Sequence, residues 1–270
     1  MTDIVYITLG VMNQLPLQRP DDLLRHWYAR IDAGIDARRA CVAMVVRVIA
    51  GPRVEGFGTG FFYLKDGWPF FVTAMHVVAD ANESIQRGHG AFLIVRGRKG
   101  VIDLSKSEFF CSAEWDAGIA PLWKRPAQSY SHVEFLSSSE VGPPLEATLF
   151  AFTGFPASKN KTYTAREVKP VQRIITFSKT EPNPTDQALP FLSLQIESGQ
   201  LHTSELDRTN LDFPQGLAGM SGGPVLAVSG SIDRPKLTLC GMGIAWRDNN
   251  SLKVLHFDLV DVWLTRYFTW

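Results

Sequence analysis

Three residues of this chain could together carry out nucleophilic catalysis. His76 lies in the stretch FVTAMHVV, Asp116 in EWDAGIAPL and Ser221 in GLAGMSGGPVL. A serine hydroxyl is a weak nucleophile near neutral pH and needs a base to take its proton, a task that suits histidine. A carboxylate that holds the imidazole in the correct tautomer completes such a set. The pattern predicts that Ser221 attacks a carbonyl carbon, with His76 as the base and Asp116 as the residue that orients it.

The glycines around Ser221 predict a second part of such a site. The carbonyl oxygen of a substrate becomes negative during attack, and fixed backbone N–H groups aimed at it supply much of the rate gain. Glycine permits unusual dihedral angles and close approach of the substrate. We therefore expect the main-chain N–H groups of Gly219 and Ser221 to form an oxyanion hole. Taken alone, the stretch also fits a glycine-rich turn between strands, and His76 and Asp116 favour the catalytic interpretation.

The elements that must position these residues are mostly short strands. Runs of apolar or alternating residues, separated by Gly, Pro, Asn and Asp, predict an all-β barrel or sandwich. These runs cover residues 41–50, 58–64, 69–78, 91–97, 147–156, 171–177, 190–198, 224–230 and 236–246. Apolar residues at helical spacing predict one helix over 20–38 and a terminal helix over 258–268. Asp103 is a weaker alternative to Asp116, because ordinary strand and turn sequence surrounds it.

The three motifs resemble those of the trypsin-like (chymotrypsin-fold) serine peptidases. TAMHV resembles the TA-x-H motif of that family, DAGIAPL its D-x-A-x-x-x-L segment and GMSGGPV its G-x-S-G-G-P motif, in the same chain order. The resemblance covers residues 40–260. It implies two antiparallel six-stranded β-barrels, with the active site in the cleft between them. The activity that it implies is a serine endopeptidase that works through an acyl-enzyme.

Two positions depart from the secreted members of that family. Val77 stands where many of them have a disulfide-bonded cysteine, and Met220 where many have the aspartate that receives a freed N-terminus. No Ile-Val-Gly-Gly-like cleavage start precedes the first predicted barrel. The pattern is therefore closer to the disulfide-free, bacterial-type members, and activation by insertion of an N-terminus is not expected.

The strand pattern and the resemblance together predict four parts of the chain. Residues 1–40 form an N-terminal helical extension, and residues 41–130 form the first β-barrel lobe, with His76 and Asp116. A linker poor in strand pattern covers residues 131–146. Residues 147–270 form the second β-barrel lobe, with Ser221 and the C-terminal helix.

The substrate pocket is predicted from positions near Ser221. In the family, the residue six positions before the nucleophile lies at the base of the primary pocket, and here that residue is Gln215. A neutral amide argues against selection of Arg or Lys. The stretch GMGIAW resembles the pocket wall, which nominates Ile244, Ala245 and Trp246. We expect small or apolar residues before the scissile bond, and the loop 198–215 could gate the pocket.

Composition narrows the classes of partner. The chain has 27 Lys and Arg against 27 Asp and Glu, so the basic excess expected of a nucleic-acid binder is absent. Its three cysteines, Cys41, Cys111 and Cys240, are spaced for neither a disulfide framework nor a metal site, and they predict buried thiols in a reducing compartment. We expect no cofactor, no transmembrane segment and a cytoplasmic location. The expected partners are a protein or peptide substrate and a regulatory protein.

Two other functions compete with a peptidase. GMSGG also fits the G-x-S-x-G motif of α/β-hydrolase esterases, but that fold needs a helix directly after the serine, and here PVLAVSG predicts a strand. The second alternative is a trypsin-fold protein held inactive or used as a binding or regulatory module. Sequence does not separate it from an active enzyme, because a malformed oxyanion hole leaves no trace in the motifs.

Overall fold

The structure is a computed structural model with side chains. It describes residues 20–50, 53–96, 100–124, 130–144, 147, 149–160, 163–164, 172–178, 190–195, 217–231, 233–247 and 251–268. Within these ranges the α-helices are α1 (Pro20–Asp36), α2 (Met75–Gln86) and α3 (Phe257–Tyr267). The strands are β1 (Val42–Ala50), β2 (Arg53–Lys65), β3 (Trp68–Ala74), β4 (Ala91–Val95), β5 (Val101–Asp103), β6 (Phe110–Ser112), β7 (Ala117–Pro121), β8 (Leu136–Ser137), β9 (Leu149–Gly154), β10 (Tyr163–Thr164), β11 (Arg173–Ser178), β12 (Phe191–Gln195), β13 (Pro224–Ser231), β14 (Arg234–Arg247) and β15 (Ser251–His256).

The strands form two sheets, one for each lobe. The second lobe is a closed barrel of six strands in the order β11-β12-β15-β14-β13-β9. The first lobe is a nine-stranded sheet with the order β5-β4-β1-β2-β3-β7-β6, to which β8 and β10 add by pairing with β2. Every ladder between named strands is antiparallel except that of β8 with β2. The predicted all-β, two-lobe architecture is confirmed. The first lobe differs in having nine strands, seven of them on a path that does not close among the described residues.

Buried aromatic and aliphatic side chains explain why these runs form sheets. β3 is buried from Pro69 to Ala74, because one of its faces packs in the core of the first lobe and the other face is covered by the rest of the protein. The first core also takes Ile31 and Ile35 from α1, and Val260 and Leu264 from α3. A separate cluster fills the six-stranded barrel, with members that include Phe150, Phe152, Ile175, Leu194, Val225 and Val254.

The two predicted helices are present at nearly the expected positions. α1 begins at Pro20 as predicted and ends two residues early, and α3 is displaced by one residue from the predicted 258–268. Asp261 fixes α3 to the first lobe, since it accepts hydrogen bonds from Tyr63 Oη and Lys65 Nζ, each at 2.6 Å. None of the described helices is long and apolar enough to cross a bilayer.

One predicted strand is in part a helix. The sequence pattern predicts a single strand over 69–78, but β3 ends at Ala74 and α2 starts at Met75. Val77, Val78, Ala81 and Ser84 are the buried residues of α2, which is the spacing of one helix face. The β-branched residues Val77 and Val78 are typical of strands, so the local sequence resembles a continued strand. The buried positions Ala81 and Ser84, further along the chain, are those that indicate a helix.

The stretch predicted as an interlobe linker makes ordered contacts with both lobes. β8 pairs with β2 of the first lobe, and Val141 forms a bridge with Leu239 of β14 in the second. The division of the chain at 40, 130 and 146 stays a prediction. Residues 1–19 of the proposed extension lie outside the described residues.

Candidate active site

The pairing of β3 with β7 brings His76 and Asp116 together. The register sets Ala74 opposite Ala117, so the next residue on one strand and the preceding residue on the other meet at the end of the ladder. Met75 N–H donates to the Asp116 carbonyl oxygen at 3.0 Å, and His76 N–H donates to Asp116 Oδ1 at 3.1 Å. Asp116 therefore satisfies amides in the first turn of α2, where helices lack internal acceptors.

The side chains of the same two residues form a second contact. His76 Nδ1 lies 2.8 Å from Asp116 Oδ2. An ionised carboxylate only accepts hydrogen bonds, so Nδ1 carries the proton and Nε2 is left as an acceptor. The hydrogen bond to Asp116 raises the pKa of His76 above its ordinary 6.5, and the charges of Asp116 and Asp80 act in the same direction against the effect of burial. His76 is thus a base whose free nitrogen faces away from Asp116.

Asp116 holds an unusual backbone conformation. Its φ of 50° lies in the left-handed region, which few residues other than glycine adopt. Aspartate tolerates this region better than most residues, and such strain persists where surrounding contacts fix it. The three hydrogen bonds to Met75 and His76 are those contacts. These hydrogen bonds hold the strained backbone so that the carboxylate stays turned towards the imidazole.

The alternative carboxylate has a different role. Asp103 ends β5 and accepts hydrogen bonds from Ser105 N–H at 2.9 Å and Ser105 Oγ at 2.8 Å. It caps its own turn, and β5 lies at the far end of the sheet from β7. The structure therefore places Asp116, and not Asp103, against His76.

Ser221 lies in the loop Leu217–Gly223, which we call the serine loop. Four successive carbonyl oxygens of this loop each accept a hydrogen bond. Ala218 O accepts from Ala157 N–H (2.6 Å), Gly219 O from Thr59 Oγ1 (2.7 Å), Met220 O from Gly223 N–H (3.0 Å) and Ser221 O from Thr59 N–H (3.1 Å). The orientation of every peptide group from Ala218 to Gly222 is therefore fixed by a bonded carbonyl.

The amides of the serine loop divide into bonded and unbonded ones. Met220 N–H donates to Leu217 O at 3.0 Å, and Gly222 N–H to Gly243 O at 2.7 Å. The N–H groups of Gly219 and Ser221 have no acceptor among the described residues. Because N–H and C=O point in opposite directions across a trans peptide, both groups face away from the donors that hold the loop. They are the two amides that the sequence nominated for an oxyanion hole.

Two glycines allow the serine loop to take this shape. Gly219 and Gly222 both have φ of 89°, where side chains are strained. A Cβ on Gly222 would lie 2.2 Å from the Thr59 oxygen and 2.9 Å from Ala74 N. Only glycine fits there, so the loop lies directly against the end of β3, two residues before His76.

The hydrogen bond between Ser221 and His76, which would complete the predicted triad, is not formed. Among the described residues no hydrogen bond joins Ser221 Oγ to His76. Hydrogen bonds between catalytic groups are often long without substrate and shorten in the complex. The structure thus brings His76 and Asp116 into contact, and it places the Ser221 backbone beside the same strand end.

A cavity of about 190 Å³ opens next to Ser221. Its other lining residues are Phe152, Leu217, Ala218, Gly243, Ala245, Trp246 and Leu252. Ala245 and Trp246 were nominated from the sequence. Ile244 is 1% exposed and belongs to the first core, so the structure places it in the core instead of the pocket. Successive side chains of a strand point to opposite faces, which separates Ile244 from its neighbours. Gln215 and the loop 198–215 lie outside the described residues.

Sequence reasoning missed the other walls of this cavity. Leu217 and Ala218 stand in the glycine-rich stretch itself, so proximity to Ser221 could have nominated them. Phe152 comes from β9 and Leu252 from β15, and only the closed barrel brings these strands beside β14 and the serine loop.

The cysteines are unpaired in the structure. Cys41 and Cys240 are buried as expected, whereas Cys111 is exposed, which corrects the prediction for that residue. Cys111 lies on β6, the edge strand of the first sheet, and this position leaves its thiol uncovered. The described residues contain no group of three His, Cys, Asp or Glu that could hold a metal ion.

Comparison with known proteins finds limited similarity. No family model matches the chain, and no curated protein matches it. The solved structure of Deg5 is 14% identical, with a TM-score of 0.49 over 93% of this chain and 98% of that chain. The MamO protease domain from Magnetospirillum magneticum, in its apo form, is 12% identical, with a TM-score of 0.46 over 84% of this chain and 97% of that chain.

A third similar structure comes from work on the intrinsically disordered VPg protein of Sesbania mosaic virus, whose coupled folding and binding are driven by aromatic interactions. It is 16% identical, with a TM-score of 0.46 over 82% of this chain and 89% of that chain. At these identities and TM-scores the similarities carry no argument about activity, which must come from the site itself.

Proposed function

We propose that this protein is a serine endopeptidase with His76, Asp116 and Ser221 as its catalytic triad. One observation carries the proposal: the serine loop lies against the strand end that holds the His76–Asp116 pair, with the Gly219 and Ser221 amides unpaired among the described residues. A glycine-rich turn with only a structural role has no need of two amides without acceptors, since unmade backbone hydrogen bonds cost free energy.

The geometry supports acyl transfer by known steps. Ser221 Oγ attacks the peptide carbonyl carbon while His76 Nε2 takes the hydroxyl proton. The oxyanion that forms accepts hydrogen bonds from Gly219 and Ser221 N–H. His76 then donates its proton to the leaving amine, and water hydrolyses the acyl-enzyme through the same base. The Asp116 carboxylate stabilises the imidazolium in each half-reaction.

The cavity beside Ser221 indicates the class of side chain that the enzyme selects. All the described lining residues are uncharged, and most are apolar. A charged side chain would lose its hydration there without gaining a partner. The Phe152 ring narrows the site, since it lies so close to Gly243 that a Cβ there would meet it at 2.5 Å. We propose cleavage after small or medium-sized apolar residues.

A fluorophosphonate probe tests the proposal directly. The wild-type protein should be labelled on Ser221, and Ser221→Ala should abolish labelling. With a peptide library, Ser221→Ala should lower turnover on the order of 10⁶-fold, and the wild type should prefer apolar residues before the cut. Undiminished hydrolysis by Ser221→Ala would show that another group is the nucleophile.

The second candidate is a trypsin-fold protein held inactive, and the open link between Ser221 and His76 is what favours it. Failure of the folded wild type to react with the probe would support this candidate, with a regulatory protein as the partner that brings Ser221 and His76 into hydrogen-bonding contact.

An α/β-hydrolase esterase does not fit, because the strand β13 follows Ser221 and pairs with its neighbours in an antiparallel barrel. The cytoplasmic location stays a proposal, with which the three free thiols agree.

A further inference from the structure

Thr59 makes four hydrogen bonds in the core between the two lobes. It lies in the middle of β2 and is 0% exposed. Its Oγ1 donates to Gly219 O at 2.7 Å and accepts from Phe155 N–H at 2.9 Å. Its main-chain N–H donates to Ser221 O at 3.1 Å, and its carbonyl oxygen accepts from Thr73 Oγ1 at 2.6 Å. No other described residue outside the serine loop bonds two of its four fixed carbonyls.

The bond from Thr59 Oγ1 acts on the peptide group that follows Gly219. Ala157 N–H holds the peptide group that precedes Gly219, through Ala218 O. With the carbonyls on both sides fixed, Gly219 cannot turn about its own φ and ψ without breaking a bond. A glycine has little conformational preference of its own, so external bonds must select its conformation. The direction of the Gly219 N–H therefore depends on Thr59 and Ala157.

The Thr59 hydroxyl has both a hydrogen-bond acceptor and a hydrogen-bond donor within reach. A threonine hydroxyl has one hydrogen to donate and lone pairs to accept, and here it donates to Gly219 O while it accepts from Phe155 N–H. A side chain without this hydroxyl would leave a buried donor and a partly buried acceptor unpaired, which the loop could relieve only by moving. Phe155 directly follows β9, so the same oxygen also joins the first lobe to the wall of the barrel.

We propose that Thr59 is a positioning residue that holds the oxyanion hole in its working conformation from the opposite lobe. The proposal rests on the proposed peptidase function for its catalytic consequence. Thr59 touches no substrate in this role. It acts through Gly219 and Ser221, whose carbonyls it anchors so that their N–H groups stay aimed at the reacting carbonyl.

The kinetic test compares variants that differ in one atom or group. Thr59→Val keeps the shape and removes the hydroxyl. Loss of a whole oxyanion donor costs about 10²–10³ in kcat, so loosening one should lower kcat by about 10–100-fold while KM changes less than about twofold. Thr59→Ser restores the hydroxyl and should recover most of the loss. If Thr59→Val does not fold, Thr59→Ala carries the same prediction with the same kcat and KM pattern.

Thr153→Val is the matched control. Thr153 is 2% exposed on β9, and its Oγ1 accepts from Gln172 Nε2 at 2.8 Å. Its substitution also removes a buried hydroxyl but no bond to the serine loop. It should leave kcat and KM unchanged. If Thr59→Val and Thr153→Val lost kcat equally, general destabilisation would account for the effect of Thr59→Val, and the proposal would be overturned.

Hydrogen exchange provides a readout that needs no activity. In a Ser221→Ala background, Thr59→Val should speed exchange of the bonded amides in residues 217–223 by about tenfold, the value of one lost hydrogen bond. Thr59→Ser and Thr153→Val should leave these amides as slow as in the background protein. Unchanged exchange in Thr59→Val would overturn the proposal. A wild type that neither reacts with the probe nor cleaves peptides would refute the peptidase function alone, and the exchange result would still decide what Thr59 does.

Discussion

The two sides of the candidate site are held in different ways. On the first lobe, one side chain does the holding, since the Asp116 carboxylate bonds both the main chain and the imidazole of His76. On the serine loop, the fixed groups are peptide carbonyls, and three of their four donors are backbone amides. The first side depends mainly on one carboxylate, whereas the second depends mainly on backbone conformation, to which Thr59 adds one side-chain donor. Loss of the Asp116 carboxylate and distortion of the serine loop should therefore each impair the site independently of the other.

The largest effect is expected on the side that depends on a side chain. Asp116→Ala removes the partner that sets the tautomer of His76, and loss of this carboxylate from a triad lowers kcat by about 10⁴-fold. Peptide hydrolysis measures the loss. Asp103→Ala is the control, because Asp103 caps a turn at the far end of the sheet from β7, and the activity of this variant should equal that of the wild type. A loss of less than about tenfold in Asp116→Ala would contradict the comparison.

A smaller effect is expected from the backbone of the serine loop. Gly219→Ala places a Cβ 2.7 Å from Ala157 N at a residue with φ of 89°. The loop must shift, and loss of one oxyanion donor lowers kcat by about 10²–10³ with little change in KM. Gly67→Ala is matched in strain, since Gly67 has φ of 86° but a Cβ there would meet nothing within 4 Å. It should keep full activity, and an equal loss in both variants would show that the position of Gly219 has no special role.

Substrate choice should respond to the next smaller change. Ala245→Val fills part of the cavity beside Ser221, and one methylene in an apolar pocket changes discrimination by about tenfold or more. The preferred residue before the cut should become smaller in library profiling. Ile244→Val, one position away in the core, costs about 1 kcal/mol of stability and should leave the preference as it was. A shift in preference with Ile244→Val would place that residue in the pocket after all.

The pH profile gives the smallest effect. His76 must be neutral to act as a base, so kcat/KM should rise with pH, with a midpoint above 6.5, because the hydrogen bond and charge of Asp116 raise the His76 pKa. The residual activity of Asp116→Ala should have a lower midpoint. The raised pKa also stabilises the fold below the ordinary pKa of histidine, and this stabilisation is lost as pH rises through the raised value. An unmoved midpoint in Asp116→Ala would show that another group controls the profile.

Local sequence patterns predicted much of the fold and the residue types of the site. Apolar runs predicted most strands because each strand buries a face, and α1 and α3 follow from helical spacing. α2 was missed because Val77 and Val78 continue the strand-like run of β3. The extent of the first sheet was missed because β8 and β10 are two-residue strands, too short for any pattern.

The part of the site that sequence patterns could not predict depends on distant contacts. Thr59 stands among strand residues, and its hydroxyl gains a role only when β2 meets the serine loop. Ile244 and Ala245 have different surroundings although they are adjacent, since the face of the strand decides which one reaches the cavity. Motifs report chemistry carried by residue type, and they carry no information about which peptide oxygen accepts which donor.

The strand β10 affects how the first lobe folds while the chain is still being synthesised. Tyr163 and Thr164 pair with Val54 and Arg53, although β9 of the second lobe has already passed between them in the sequence. Asn160, fully buried, accepts a hydrogen bond from Gly56 N–H through its carbonyl oxygen at 2.9 Å. The nascent first lobe therefore carries an open strand edge until synthesis has entered the second lobe. Open edges of this kind invite pairing with other chains, so the incomplete chain is exposed to aggregation at that stage.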